Sequence, residues 1–509
     1  MYKMKKCKLL IVMVITIMGA VSLCGCASSN DDEITGAVID KFMELTQIPR
    51  PSTHEKQVSD YLKGWAEDQG FDTVQDEYNN LIIQLPATEG MEDKPLVILQ
   101  GHMDMVFAQG DDMNLDPLTS KIEVVNDGET LKSDGKTSLG GDDGIGVAIM
   151  ECVAEGKMSH GPLRLIITTD EEDGMSGAKG LDKKWVKDAE YMINLDDELE
   201  GEIVISSASH SGFEFSKEAS SENSKGNMSL EIKVKGLTGG HSGDEIHKGR
   251  LNGILALGKV LDNLKKSDID YQLNSMEGGT ATNAIPASAK AIICIDKKDM
   301  DKVNRSCDKT LDQLKKDHKD TDPDMTIEVS KSKMIDKALS QSDLECVLDF
   351  CQNLMDGVYT MSKDIEGLVE SSSNLGIVKI DADSISLQGS YRSSSVAMRK
   401  EINALDKKLA ASLNMKFTSD DSANAWPAKK DNSLRDLAAD KYKEIFSEDL
   451  NVIAIHAGLE CGEFADANPD LNIISMGPTV KDPHSVNETI EIQSIAKVWK
   501  LLEGILAGI

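Results

Sequence analysis

The sequence of 509 residues predicts an α/β fold with a mostly parallel sheet, flanked by helices and interrupted by an inserted α+β domain. Three observations predict this fold. Short continuous apolar runs end in polar residues, as the buried strands of parallel sheets do. Stretches with helical periodicity separate these runs, which is the pattern of a sheet covered by helices. A middle segment instead alternates apolar and polar residues, which is typical of strands with one exposed face.

The predicted main sheet is built from both ends of the chain. Its buried strands are expected at 95–104, 163–172, 191–198, 451–458 and 471–479. Helical spacing flanks these strands at 33–46, 54–69 and 143–156. Because the late strands repeat the pattern of the early ones, we expect one discontinuous domain, 31–206 plus 419–509.

The middle of the chain, 207–418, is predicted to be an α+β insert with one sheet covered by helices. The segment NMSLEIKVKG at 227–236 alternates strictly, which indicates a half-exposed strand. Further strands are predicted at 288–296, 324–330 and 383–394, and helices at 252–266, 299–316 and 400–413. A Ser-rich stretch near 206–225 marks the exit from the first domain.

The composition excludes several kinds of partner. Asp and Glu number 87 against 55 Lys and Arg, so the formal net charge is −32, and aromatic residues make up only 4%. Binding to nucleic acid and adsorption to anionic lipid both depend on an excess of Lys and Arg. We therefore expect no nucleic-acid partner, and membrane contact only through a covalent anchor.

Residues 1–26 have the pattern of a secretory signal. MYKMKKCK carries four lysines and no acidic residue, and the apolar run at 9–21 is too short to span a membrane. The tetrapeptide Leu23-Cys24-Gly25-Cys26 resembles the lipobox of bacterial lipoproteins. We therefore predict a signal peptide over 1–25, lipidation of Cys26, and an exported lipoprotein on the outer face of the cell membrane. An uncleaved anchor and cleavage without lipidation are the alternatives.

The remaining cysteines do not suggest a disulfide framework. Export would permit disulfides, but the spacing shows no CxxC pairs and no dense cluster. We favour buried free thiols at Cys152, Cys294, Cys307, Cys346, Cys351 and Cys461.

Polar residues stand at the ends of the predicted buried strands and in two further motifs. They are His102 and Asp104, Asp142 and Asp143, Glu171 and Glu172, Asp196, and His484. A single His in an apolar strand is usually a core residue, and a DEE run is usually a solvated loop. Here, however, the polar groups lie together at the carboxyl ends of predicted strands. Ligands of parallel sheets bind beyond those ends. So many carboxylates need cations, and imidazole with carboxylate suits two zinc ions, with cobalt or manganese as alternatives.

Seven motifs resemble those of the co-catalytic di-zinc exopeptidases, which include carboxypeptidases, tripeptidases and dipeptidases. The motifs are LQGHMDMV, SLGGDDGIGVA, TDEEDGMSGA, GLTGGHSGDEIHKGR, TNAIP, HAGLECG and MGPTVKDPHSV. The last four look most like the aminoacyl-histidine dipeptidase branch, also called Xaa-His or carnosinase-like dipeptidases. The chain departs from that branch at Asp143, where Asn is common, and at Leu195, where Thr is common. Most members of the branch are cytosolic, so the lipobox is unusual.

The resemblance implies a ligand set for two metal ions. One ion would be held by His102 and Asp196, and the other by Glu172 and His484. Asp142 would bridge the two ions.

The resemblance also implies the groups that act on the substrate. Glu171 would be the general base that takes a proton from the bridging water. Asp104 would hydrogen-bond the far nitrogen of His102 and fix its tautomer. A cis peptide bond is implied between Asp142 and Asp143.

The insert would be the lid and dimerisation domain of this family. His241 would stabilise the oxyanion, often from the partner subunit or after closure, although a surface turn His is the alternative. Asn283 and Arg392 match positions that hold the terminal carboxylate of the substrate, and Gly458 could offer backbone there. For Arg392 the alternative is a surface strand charge.

The predicted function is metal-dependent hydrolysis of dipeptides of the Xaa-His type, in which a water bridging two metals attacks the peptide carbonyl. The expected partners are a short peptide substrate and a second copy of the chain, bound through the insert as a homodimer. A tripeptidase or an N-acyl amino acid amidohydrolase of the same family is an alternative. So is a lipoprotein that captures peptide or metal without catalysis, although such a protein would not need Glu171.

Overall fold

The computed structural model describes residues 29–363, 365, 367–420 and 424–509. The predicted signal peptide over 1–25 and the predicted lipidation site Cys26 lie outside these residues. Within the described ranges, no helix combines the length and apolarity needed to cross a membrane.

The strands and helices alternate along the chain. The strands before residue 206 are β1 (Asp72–Gln75), β2 (Leu81–Leu85), β3 (Val97–His102), β4 (Val124–Asn126), β5 (Thr130–Ser133), β6 (Leu163–Thr168), β7 (Tyr191–Asn194) and β8 (Glu202–Val204). The middle strands are β9 (Ser209–Glu218), β10 (Ser221–Asn223), β11 (Met228–Lys235), β12 (Gly240–His241), β13 (Tyr271–Gly278), β14 (Ala284–Ile285), β15 (Ala289–Ile295), β16 (Thr326–Lys331), β17 (Lys337–Leu339), β18 (Gly357–Met361), β19 (Val369–Ile380), β20 (Ser384–Ser393) and β21 (Lys416–Ser419). The last strands are β22 (Asn451–Ile453), β23 (Asn472–Ser475), β24 (Val480–Lys481) and β25 (Thr489–Glu491). The α-helices are α1 (Ser29–Leu45), α2 (Lys56–Asp68), α3 (Gly141–Cys152), α4 (Ser176–Gly180), α5 (Lys184–Lys187), α6 (Gly253–Lys266), α7 (Met300–Asp317), α8 (Gln341–Asn353), α9 (Val396–Ser412), α10 (Ser433–Phe446), α11 (Cys461–Ala467) and α12 (Ile492–Gly508).

The first large sheet has eight strands in the order β1-β2-β6-β3-β7-β23-β8-β22. The neighbours β6, β3, β7 and β23 run parallel, and β1 and β2 are antiparallel at one edge. Helices α1, α3 and α12 cover one face, where Leu99 packs, while Ile98 points into the core under α4, α5 and α11. Because both faces are covered, every residue of β3 is buried, which explains its continuous apolar sequence. The predicted α/β fold with a mostly parallel sheet is confirmed.

One predicted strand of this sheet is shorter and more exposed than expected. The apolar run at 451–458 forms a strand only over Asn451–Ile453, at the sheet edge, where none of its three residues is buried. Beyond Ile453 the chain turns towards the second sheet, and His456 there contacts Ser372. An apolar run can serve either as a strand or as a covered loop, so its composition alone does not set where the strand ends.

The second large sheet has nine antiparallel strands, which run in sequence from Ser209 to Ser419. Helices α6, α7, α8 and α9 contact its strands. The alternating residues Leu230, Ile232 and Val234 of β11 are buried among them, as the sequence pattern predicts. The domain boundaries 31–206, 207–418 and 419–509 stay a prediction.

The cysteines of the described ranges are all free. Five of them are buried, and Cys351 is partly exposed. The prediction of free thiols is therefore confirmed.

Substitution of Gly101 by Ala should destabilise the protein. A Cβ atom at Gly101 in β3 would overlap Asp143 Oδ2, so we expect a loss of about 1–3 kcal/mol in the free energy of unfolding. The control is Gly64→Ala in α2, where a Cβ would meet no atom within 4 Å and should stabilise the helix by about 0.5–1 kcal/mol. Urea unfolding measures both changes. Equal stabilities for the two variants would contradict the tight packing of Gly101 against Asp143.

Candidate active site

Three parallel strands bring polar residues to one edge of the first sheet. In the register of β3 and β6, His102 lies beside Thr168, and Gln100 of β3 lies beside Asn194 of β7. Glu171 and Glu172 follow β6 by a few residues, and Asp196 follows β7. The register therefore delivers these side chains to a common place, as the positions of the motifs predict.

His102 faces two carboxylates. Its Nε2 atom lies 3.1 Å from Asp142 Oδ1 and 3.3 Å from Asp196 Oδ1. The side chain of His102 is only 1% exposed, and that of Asp196 is 6% exposed. These three residues can offer ligand atoms that lie within 4.8 Å of one another, so they could hold a metal ion.

His484 forms a second group around the other oxygen of Asp142. Its Nε2 atom lies 3.0 Å from Asp142 Oδ2 and 2.6 Å from Glu172 Oε1. Glu172, His484 and Asp142 again offer ligand atoms within 4.8 Å of one another. Asp142 thus belongs to both groups, with one oxygen facing His102 and the other facing His484.

An orphaned buried oxygen tests whether metal ions fit this arrangement. Glu172 Oε1 is buried without a hydrogen bond although His484 Nε2 lies 2.6 Å away, so the two atoms converge without donor-acceptor geometry. Within the described ranges, no Lys or Arg forms an ion pair with Asp142, Glu172 or Asp196. Imidazole nitrogens and carboxylate oxygens are ligands that divalent transition metals prefer. The residues therefore fit a pair of such ions.

The electrostatics of the site also favour added positive charge. Burial raises the pKa of Glu171 well above its usual range, and repulsion by Asp196 and Glu172 adds to this effect. Burial likewise raises the pKa of Asp196. A hydrogen bond to Asp142 and the negative charges of Glu172 and Asp142 raise the pKa of His484 to about 11. A cation beside these groups would favour ionised carboxylates and neutral imidazoles, which are the forms that bind metals.

Asp104 connects His102 with the loop that carries the paired glutamates. It is fully buried, and its Oδ1 atom lies 3.3 Å from His102 Nδ1. The amide of Glu171 donates to Asp104 Oδ1 at 3.1 Å, and the amide of Glu172 donates to Oδ2 at 3.3 Å. This carboxylate therefore lies at the far side of the imidazole, where the family resemblance places it, although His102 Nδ1 makes no hydrogen bond to it.

The peptide bond between Asp142 and Asp143 is cis, which confirms the expectation from the resemblance. Asp143 is buried, and its Oδ2 atom accepts a hydrogen bond from the amide of His102 at 3.2 Å. The carboxyl group that departs from the usual Asn therefore contacts the backbone of a predicted ligand.

The residues predicted to contact substrate form a separate cluster near the second sheet. His241 Nε2 lies 3.4 Å from Arg392 Nη2, and His241 Nδ1 lies 2.9 Å from Asp244 Oδ2. Asn283 accepts a hydrogen bond through its backbone carbonyl from the amide of Ser242. Across the described residues, no hydrogen bond or ion pair joins His241 or Arg392 to the ligand groups. The structure thus brings the predicted substrate residues together without joining them to the ligands.

The segment 456–458 lies between the two clusters. Arg392 donates to the backbone carbonyl of His456 at 3.5 Å. A Cβ atom at Gly458 would lie 3.5 Å from Met175 Cε, in the loop after Glu172. Gly458 therefore lies next to the loop that follows the paired glutamates.

Sequence reasoning missed Glu460, two residues beyond Gly458. It is fully buried, and its Oε2 atom accepts hydrogen bonds from Gln100 Nε2 and Thr168 Oγ1, both at 2.6 Å. Burial raises its pKa to about 7. The available signal was an acidic residue between the apolar and small residues of HAGLECG.

Relatives cover almost the whole chain. The "Cytosol non-specific dipeptidase" of Escherichia coli is 32% identical over 474 residues, which are 92% of this chain and 97% of that protein. The crystal structure of aminoacylhistidine dipeptidase from Vibrio alginolyticus superposes with a TM-score of 0.86 at 30% identity, covering 93% of this chain and 96% of that one. A tripeptidase from Staphylococcus aureus, at 16% identity and a TM-score of 0.51 over 93% of this chain and 97% of that one, shares the fold.

The comparisons correct the predicted location. The name of the Escherichia coli relative places that protein in the cytosol, and the likeness extends over 92% of this chain. The prediction of an exported lipoprotein on the outer face of the membrane is therefore wrong. It depended only on residues 1–26, where a lysine-rich start and a short apolar run form a compositional pattern.

The family described as "Peptidase family M20/M25/M40" matches residues 98–508. This range includes every predicted metal ligand from His102 to His484. The predicted peptidase family is confirmed by this match and by the two dipeptidase relatives. The chain, with its paired imidazoles and shared Asp142, belongs to peptidase family M20/M25/M40.

Proposed function

We propose that this protein hydrolyses dipeptides at a centre that holds two divalent metal ions. The observation that carries the proposal is the position of Asp142 between His102 and His484, with one oxygen facing each imidazole. The names of the two nearly full-length relatives, a non-specific dipeptidase and an aminoacylhistidine dipeptidase, support dipeptides as the substrate class.

The ligands divide into two sets with one shared member. His102 and Asp196 would hold the first ion, Glu172 and His484 would hold the second, and Asp142 would contribute to both. When bound, the ions supply positive charge that polarises the scissile carbonyl and stabilises developing negative charge. Zinc is the ion we propose, because this donor set suits it, and cobalt and manganese are the alternatives.

Glu171 is the proposed general base. It lies beside the ligand Glu172, and one of its oxygens lies within 4.8 Å of ligand atoms of His102 and Glu172. Its carboxylate takes a proton from the attacking water and delivers it to the leaving amine. Asp104 acts through His102 by holding the imidazole in one orientation.

The cluster near the second sheet is proposed to bind the rest of the substrate. Arg392 is 7% exposed and presents a planar fork that matches the terminal carboxylate, with Asn283 and Gly458 as further contacts. His241 is proposed to donate to the oxyanion, either after the insert closes or from the partner subunit in a homodimer. Both routes would bring this cluster towards the ligands.

Metal removal and a substrate panel test the proposed function. Protein stripped by a chelator should lose activity, and about two equivalents of zinc per chain should restore it. The panel contains Xaa-His dipeptides, other dipeptides, tripeptides and N-acetyl amino acids, assayed by release of free amino acid. Turnover of dipeptides is expected. Activity confined to tripeptides would favour a tripeptidase, and activity confined to N-acetyl amino acids would favour an amidohydrolase.

Substitutions of the adjacent residues Glu171 and Glu172 should have different effects on activity and on metal binding. Glu171→Ala should lower kcat by about 10²–10⁴-fold and keep two bound ions, because it removes only the base. Glu172→Ala should lose bound metal, because it removes a ligand. Elemental analysis and steady-state kinetics separate the outcomes. If Glu171→Ala hydrolyses dipeptides at the normal rate, the assignment of the base is wrong.

The guanidinium of Arg392 should control the KM for substrates with a free carboxylate. Arg392→Lys should raise KM by about 10–100-fold, because an ammonium group cannot form the same two-pronged contact. The matched control is Arg164→Lys, at another buried guanidinium that pairs with Asp188 in the first sheet. An unchanged KM in Arg392→Lys, or an equal rise in the control, would contradict carboxylate binding by Arg392.

A further inference from the structure

Two buried charged residues outside the ligand set contact the loops that carry the ligands. They are Arg50 and Glu488, each 2% exposed. Charged residues are almost never buried this deeply unless they are paired or fully hydrogen-bonded. Their partners therefore indicate what each charge does.

Glu488 binds four consecutive backbone amides in the loop of the shared ligand. Its Oε2 atom accepts from the amides of Leu139 at 2.7 Å and Gly140 at 2.9 Å. Its Oε1 atom accepts from the amides of Gly141 at 2.7 Å and Asp142 at 3.3 Å. Glu488 comes four residues after His484 in the sequence. Its hydrogen bonds therefore connect the segment that carries His484 to the loop that carries Asp142.

Arg50 binds carbonyl groups in the same loop and in the loop after β3. Its Nη1 atom donates to the carbonyls of Met103 and Asp104, both at 2.9 Å, and its Nη2 atom donates to the carbonyl of Gly140. Met103 and Asp104 directly follow the ligand His102. Arg50 therefore fastens the loop of His102 to the loop of Asp142.

The loop leaves no room for side chains at Gly140 and Gly141, which lie directly against Arg50 and Glu488. A Cβ atom at Gly140 would lie 2.6 Å from Arg50 Nη2, and one at Gly141 would lie 3.2 Å from Glu488 Oε1. Gly140 also has a φ of 72°, which side chains rarely adopt. Small residues here let both charged groups approach the backbone closely.

We propose that Arg50 and Glu488 are positioning residues that set the spacing of the three ligand loops before any metal binds. The inference rests on the proposed two-metal centre. Arg50 donates charge-assisted hydrogen bonds to backbone carbonyls, and Glu488 accepts them from backbone amides. Together they hold both kinds of polar group in the loop of Asp142. Because Asp142 serves both ligand groups, a displacement of its loop weakens both metal sites together.

Metal binding without any peptide tests this proposal. Glu488→Gln replaces an acceptor oxygen by an NH₂ group that faces backbone N–H donors, so the loop should lose its anchor. We expect the affinities for the first and the second zinc ion each to fall about 10–100-fold in competition with a fluorescent chelator. Arg50→Lys should show the same paired loss, because Lys cannot reach three carbonyls with fixed geometry.

The matched control is Asp322→Asn. Asp322 is a fully buried carboxylate in the part of the chain between β9 and β21, and it accepts from the amides of Thr238 and Leu251, both at 2.9 Å. This variant should lose stability and keep wild-type zinc affinities. Equal losses of zinc affinity in the control and in Glu488→Gln would overturn the proposal, as would unchanged affinities in Glu488→Gln.

If the variants do not fold, hydrogen exchange of the metal-free wild-type protein tests the proposal instead. The amides of residues 139–142 should exchange at least about 10-fold more slowly than those of the exposed turn at 126–129, because Glu488 holds them without metal. Equal exchange rates would overturn the proposal. Wild-type protein that binds fewer than two zinc ions would instead contradict the proposed two-metal centre, and activity plays no part in either result.

Discussion

Mutual repulsion among buried carboxylates is the constraint on which the rest of this structure depends. Asp142, Glu171, Glu172 and Asp196 converge at one sheet edge, where burial raises the pKa of Glu171 and Asp196. Carboxylates this close are stable as anions only with positive charge beside them. Without metal, the raised pKa of His484, about 11, lets its imidazolium supply part of that charge. As metal ligands both imidazoles would be neutral, so bound cations would have to supply the charge instead. The fold has to hold the ligands in place against their own repulsion until those cations arrive.

The sheet meets this requirement through its register and through buried polar side chains that lie close to the ligands on three strands. Gln100 of β3 accepts from Asn194 of β7 at 2.7 Å and donates to Thr168 of β6 at 3.1 Å. All three side chains are fully buried. A slip of one residue in any of these strands would move its ligand to the opposite face and leave these polar groups unpaired. The hydrogen bonds therefore specify the alignment that places His102 next to Asp196.

The order of apolar and polar residues along the chain made the strands and most of the proposed site predictable. His102 and Asp196 could be found because each stands at the end of an apolar run that is typical of a buried parallel strand. Arg50, Glu460 and Glu488 could not be found in the same way, because a charged residue is normally exposed and nothing nearby in sequence indicates its burial. The carboxylate of Glu488 contacts amides almost 350 residues away, which only the folded chain brings close.

The region after β22 shows a second limit of sequence pattern. The run at 451–458 is as apolar as a central strand, but only Asn451–Ile453 pairs with the sheet, at its edge. Beyond Ile453, the amide of Ile455 donates to the carbonyl of Ser206, while His456 contacts Ser372 of the second sheet, so distant segments surround this part of the run. Periodicity contains no information about such a neighbour.

The segment 456–460, which follows β22, contacts both large sheets. His456 contacts Ser372 and Arg392 of the second sheet, and Glu460 lies under Gln100 and Thr168 of the first. Four residues of extended chain reach at most about 15 Å, so the Cα atoms of His456 and Glu460 lie within that distance of each other. Both ends of the segment are buried and hydrogen-bonded, whereas no hydrogen bond among the described residues joins His241 or Arg392 to the ligands. The segment 456–460 is therefore hydrogen-bonded to the second sheet at one end and to the first sheet at the other.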